Sequence, residues 1–166
     1  MNIFSRIFRK AKPPEGETER AEILGGGNSF SAWNGDAYAN DIYRGAVDAI
    51  ARNVIRYADH DRTEGDCKIN RLLQIEPNPY MSAFDMLYKL ATHYFLYNNA
   101  FAFLQKDERG RPVGVYPLNA VHIDFVTDAA GALYCDFLFS GGKSVVLPYA
   151  DVIHLRRNFN SNDLLG

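Results

Sequence analysis

Four histidines and two cysteines are the side chains best suited to metal or nucleophile chemistry in this 166-residue chain. His60, His93, His122 and His154 stand far apart, and no two share the spacing of metal ligands. Neither Cys67 nor Cys135 has a Cys-x-x-Cys partner, and the pair reads as two reduced, packing thiols rather than a disulfide. Nucleophilic catalysis needs a serine or cysteine beside a histidine that an acid orients, and no nucleophile elbow marks any serine here. Asp124, Asp136 and Asp151 alternate with apolar residues, which is expected of strand residues pointing to solvent. A two-carboxylate hydrolase is the rival reading of those aspartates, and nothing else in the chain favours it. Gly25-Gly26-Gly27 invites a phosphate cradle, but no Gly-Lys-Ser/Thr follows and no buried strand precedes it, so the P-loop reading fails. Catalytic, cofactor and metal sites are therefore not expected.

The remaining candidate is aromatic. Tyr88, Tyr94, Phe95, Tyr97, Phe101 and Phe103 could stack single-stranded nucleic acid, yet such platforms run with basic residues along one groove. Only Lys89 and Lys106 are near in sequence, so these rings are read as core.

The elements that would position such residues are well marked. Tyr43, Val47, Ile50 and Val54 fall on one face of a helix over about 41–57, with Arg44, Asp48 and Arg52 on the other. Ile69, Leu72 and Leu73 suggest a short helix ending before Pro77. Ser82 is a good N-cap, with Asp85 three residues on. Phe84, Leu87, Ala91, Tyr94 and Phe95 then form a wide apolar face, and Asn98-Asn99 supplies a left-handed stop. From Ala100 the period becomes two, and Phe101 and Phe103 mark a strand buried on both faces. A hairpin loop at 107–111 places Gly110 where positive φ is expected. Further strands follow at 113–117, 122–126, 133–139, 145–147 and 152–155, with turn signals between. This predicts an α+β fold: two main helices packed on an antiparallel β-meander.

Composition bounds the rest. Net charge is -2 and 47% of residues are hydrophobic, so a packed interior is expected and a phosphate-holding basic surface is not. No apolar run approaches the ~20 residues of a membrane span. The first twelve residues carry four positive charges and no acids, a basic amphipathic anchor or a short terminal helix. Pro13-Pro14 stops that element. Residues 1–35 are expected to form a flexible arm, and 36–166 one domain.

The order of these pieces resembles the portal proteins of tailed bacteriophages, the HK97-like family. The helix with Ala46-Val47-Asp48-Ala49-Ile50-Ala51 comes first, then a leucine-rich stretch ending in Pro77-Asn78. The Ser82-capped helix is similar to the family segment that ends in a Gly-Asn-Ala corner; Asn98 stands at the glycine, and Asn99-Ala100 match. Gly110, Pro112, Pro117 and Leu118 look like the family hairpin and its Pro-Leu exit, and Asp151-Val152-Ile153-His154 resembles its Asp-Ile-Ile-His strand. Even the Phe- and Arg-containing opening is typical of the family.

The resemblance covers about 36–166 and implies a partial, truncated wing domain. It implies a structural, non-enzymatic protein of the virion, made in the bacterial host cytoplasm. Portal subunits form a ring at one capsid vertex, through which terminase pumps DNA and to which the neck and tail attach. The partners so implied are other portal subunits, terminase, capsid and neck proteins, with DNA as non-specific cargo and no membrane. The mild negative charge is compatible with a conduit through which DNA slides. Residues 53–66 look shorter than the family segment, and the family's stem, clip and crown would lie beyond Gly166. A free-standing fragment that binds or poisons an intact ring, and an uncharacterised α+β enzyme, are the alternatives.

Overall fold

The computed structural model describes residues 19–20, 29–31, 40–58, 68–157 and 164–165. His60, Cys67, the basic opening and the triple glycine lie outside the described residues. Asn40 starts the first helix, α1 (Asp41–Ala58), by accepting hydrogen bonds at its Oδ1 from the Ile42 and Tyr43 amides at 3.0 and 3.3 Å. Helix α2 is short (Lys68–Gln74). Helix α3 (Ala83–Tyr97) begins in a full capping box: Ser82 Oγ accepts from the Asp85 amide, and the Ser82 amide donates to the Asp85 carboxylate. It stops at Asn98, whose φ of 58° is the left-handed conformation a C-cap requires.

The strands divide between two antiparallel sheets. Strands β1 (Glu19–Arg20) and β2 (Ser29–Ser31) both pair with β5 (Ala120–Thr127), which continues to β6 (Leu133–Phe139) and β7 (Lys143–Pro148). The smaller sheet has the order β4 (Pro112–Leu118), β3 (Asn99–Lys106), β8 (Val152–Arg156). Pairing is antiparallel throughout, as the alternation predicts, but a single meander does not form. The chain changes sheet at Asn119, between the hairpin strand β4 and β5, and returns through the 3-10 turn Tyr149–Asp151 before β8. Within the stretch expected to be an arm, five residues add to the edge of β5.

The result is three layers: α3, the three-stranded sheet and the five-stranded sheet. Strand β3 lies in the middle and is buried on both faces. Phe101 and Phe103 point toward Ile123, Phe125, Phe137 and Leu147 of the larger sheet. Ala100 and Ala102 face Met86 and Leu90 of α3. Small residues on one face and large on the other set the spacing: alanines let the helix approach closely, and phenylalanines fill the gap between sheets. Phe101 meets Phe137 edge-on at 5.7 Å.

Two helix faces differ from the periodicity. On α3 the buried residues are Ala83, Met86, Leu90, Ala91 and Thr92, and Phe84 is half exposed. The expected face of Phe84, Leu87, Ala91, Tyr94 and Phe95 is the neighbouring one. Apolar residues surround this helix, so the sheet took one of two eligible faces. On α1 only Val47 of the expected stripe is buried, joined by Ala51, while Tyr43, Ile50 and Val54 remain about two-fifths exposed. The main neighbour of α1 is α3, which is too narrow to cover a whole stripe. Asp48, expected to face away, accepts a 2.5 Å hydrogen bond from Tyr88 Oη and so ties the two helices.

Candidate functional site

The ten residues singled out in the sequence do not converge on one pocket. They sit at joints between elements. Pro77 and Asn78 cover the outer edge of β4. The Val115 amide donates to the Pro77 carbonyl at 2.8 Å, and Asn78 Nδ2 donates to the Val115 carbonyl at 2.7 Å. Asn78 Oδ1 also accepts from the Tyr80 amide, which shapes the turn into α3. Ser82 and Asn98 are the caps already described. Gly110 turns the β3–β4 hairpin with φ of 74°. Asp107 organises that loop by accepting from the Arg109 and Arg111 amides, both at 2.9 Å. Those bonds, first the one from Arg111, hold its carboxyl down at about 2. Pro117 and Leu118 end β4, with Leu118 in the inter-sheet core.

Asn99 and His154 form a polar cluster with Tyr149. His154 Nε2 lies 3.0 Å from Asn99 Oδ1, and His154 Nδ1 lies 3.2 Å from Tyr149 Oη. Asn99 Nδ2 donates to the Tyr97 carbonyl, so its Oδ1 is the acceptor facing the ring. Nε2 therefore carries the proton, and Nδ1 accepts from the tyrosine. The ring also stacks on Phe101 at 4.1 Å. Burial, then the nearby Arg156 charge, pushes its pKa down to about 3, so the imidazole is neutral. Both ring nitrogens are committed to structural partners, which leaves none to activate a nucleophile. Cys135 is buried in the same core, and burial raises its thiol to about 12, far from thiolate chemistry.

The aspartates expected at solvent are all half-buried. Asp151 ends the 3-10 turn and pairs with Lys106 at 2.5 Å. Asp124 and Asp136 are cross-strand partners, and Asp124 lies 3.1 Å from His122 Nε2. Burial, then the Asp124 charge, raises the Asp136 pKa, with His122 opposing. Among the described residues, no group of three His, Cys, Asp or Glu side chains is placed to hold a metal ion. No described helix is long and apolar enough to cross a membrane.

The six aromatic residues do not share a surface. Phe101 and Phe103 are interior. Tyr88 and Tyr97 line a groove of about 560 Å³ with Tyr80, Lys89, Thr92 and His93. His93 is partly buried; its ring is tilted against Tyr97 at 5.7 Å, and burial, then Lys89, lowers its pKa to about 4. Tyr94 and Phe95 line a second groove, of about 500 Å³, between α1, α3 and β8. The helix turns these rings to opposite sides, so a continuous stacking platform does not form. No sequence signal marked the second groove, because it depends on which face of α3 the sheet leaves uncovered.

The sequence model of the phage portal protein family matches residues 22–166. None of the curated proteins matches this chain. Among solved structures, the chain is similar to one from the neck of an empty gene transfer agent particle computed with C6 symmetry. That match has 17% identity and a TM-score of 0.61, and it covers 89% of this chain and 42% of the other. A chain from the virion of a native gene transfer agent particle gives 17% identity and a TM-score of 0.61, covering 89% and 41%. A third, from the neck of the native particle computed with C12 symmetry, gives 17% identity and a TM-score of 0.58, covering 86% and 41%. This chain thus spans less than half the length of the solved chains it matches.

Proposed function

The chain belongs to the phage portal protein family, and from that premise we propose that it forms part of the wing of a portal ring at one vertex of a capsid. In this reading its partners are neighbouring portal subunits, the neck, the capsid and the packaging terminase. DNA passes as cargo without sequence-specific contact, and the protein is a structural, non-enzymatic part of the virion, assembled in the host cytoplasm. The observation that carries the reading is the family match over nearly the whole chain. The fold likeness to chains from two neck reconstructions supports it. The site fits a building part: its marked residues fasten caps, turns and strand edges, and its one committed histidine is neutral and structural. The charge of -2 is compatible with a passage that does not grip DNA.

Immunogold labelling of tailed particles with an antibody to this chain tests the proposal. A single label at the neck vertex is expected. Label spread over the shell, or confined to unassembled protein, overturns it.

A further inference from the structure

Helix α1 meets α3 along a line on which its own apolar stripe is not centred. Among its described residues only Val47 and Ala51 are buried, and Asp48 beside them is half-buried. At about 100° per residue, Tyr43, Ile50 and Val54 fall together on one flank of Val47, with Ala51 and Asp48 on the other. Those three stripe residues are 41–43% exposed. Val54 borders the groove of about 500 Å³ that runs on over Leu87, Ala91, Tyr94 and Phe95 of α3. On the opposite flank the Asp48 carboxylate accepts from Tyr88 Oη at 2.5 Å and from Arg52 Nε at 2.9 Å. A charge-assisted bond thus fixes the roll of α1 about its axis, and an apolar stripe is left out beside an apolar groove.

We propose that α1 is a two-position cover: held by the Asp48–Tyr88 bond it leaves the groove open, and released from that bond it rolls by about 70° and lays Tyr43, Ile50 and Val54 over Leu87, Tyr94 and Phe95. Val47 lies between the two contact lines, so it stays buried in both positions and acts as the pivot. The roll takes Ala51 and Asp48 out of the contact. Ala51 returns only one methyl to water, and a carboxylate is well solvated there. In exchange three large side chains leave water and the groove fills. One strong polar bond therefore stands against one apolar contact, and two terms of similar size and opposite sign make a two-state element. A partner that engages Asp48 or Tyr88 Oη closes the groove, and one that occupies the groove keeps the helix where it is. The inference rests on the contacts of two helices and not on the portal reading, so failure of either leaves the other untouched.

The whole chain, methyl-labelled, is dissolved with a neutral gadolinium chelate, and the paramagnetic relaxation enhancement of each methyl reads its exposure by NMR. In the wild type Ile50 and Val54 are expected to relax strongly and Ala51 to be shielded. Tyr88→Phe keeps the ring and its 6.2 Å stack on Phe84 and removes only the hydroxyl. Asp48→Ala removes the acceptor from the other helix. Each is expected to lower the enhancement at Ile50 at least threefold and to raise it at Ala51 at least threefold. Arg52→Ala, which takes away only an exposed ion-pair partner, is expected to leave these methyls unchanged. A rise at Ile50 and Ala51 together overturns the proposal, since α1 then detaches rather than rolls. Unchanged methyls in Tyr88→Phe and Asp48→Ala overturn it, as does an Ile50 already shielded in the wild type, or a roll in Arg52→Ala as large as in Tyr88→Phe. Loss of the fold in both latch variants overturns it as well, because the latch of a cover is dispensable to the sheets beneath.

Discussion

The two edges of the three-stranded sheet differ among the described residues. On β4 the Pro77-Asn78 segment imitates a neighbouring strand, satisfying both the amide and the carbonyl of Val115. On β8 no described strand lies alongside, and Leu155 is 40% exposed next to an apolar groove. An edge that only its own chain will meet can be closed by a rigid turn. Proline suits that task because it lacks an amide and so cannot extend the ladder further. The difference separates an edge closed by a local turn from one that no described strand joins.

Breaking the comparison starts at the strand both edges share. Phe101→Ala is expected to cost about 3–5 kcal/mol in urea denaturation, because it empties the space between sheets. This sets the scale against which either edge is judged. Acid is the next largest perturbation. His154 has its pKa pushed from 6.5 to about 3, and His93 to about 4, both chiefly by burial. The unfolded chain therefore binds more protons than the folded one below about pH 6.5. Stability is full above that pH and falls as pH drops toward the folded values. The His154 contribution alone is on the order of 3 kcal/mol by pH 4. Thermal melts at pH 7 and pH 4 should show the loss, and His154→Gln should flatten the slope while retaining the part due to His93. A slope that His154→Gln leaves unchanged would show that β8 is not anchored through its buried ring.

Asn78→Ala should cost about 1–3 kcal/mol, since it leaves the Val115 carbonyl buried without its donor. Ser82→Ala removes one half of the capping box and should cost about 1 kcal/mol. Leu155→Ser, on β8, should stay within about 0.5 kcal/mol of wild type. Denaturation midpoints of these three variants sharpen the contrast directly. Equal costs for Asn78→Ala and Leu155→Ser would mean that both edges are closed in the folded chain.

Sequence alone determined the local devices. Ser82 with Asp85, Asn98 and Gly110 each act through backbone chemistry within a few residues, so residue type and spacing suffice to place them. The double-sided strand was legible too, because a run of Ala and Phe with no polar member has no face to give to water. The helical stripes were not. Helix α3 is apolar on several sides, and only the position of β3 decided that Met86 and Leu90 face the sheet while Tyr94 and Phe95 line a groove. The strands were found but not their division into two sheets, since period two is the same in either sheet. The Asn99–His154–Tyr149 cluster joins residues up to 55 positions apart. No local signal marks it, because its members meet only when β8 returns to β3. The same long-range pairing makes β8 the last described strand of its sheet, a property that belongs to the topology rather than to any residue.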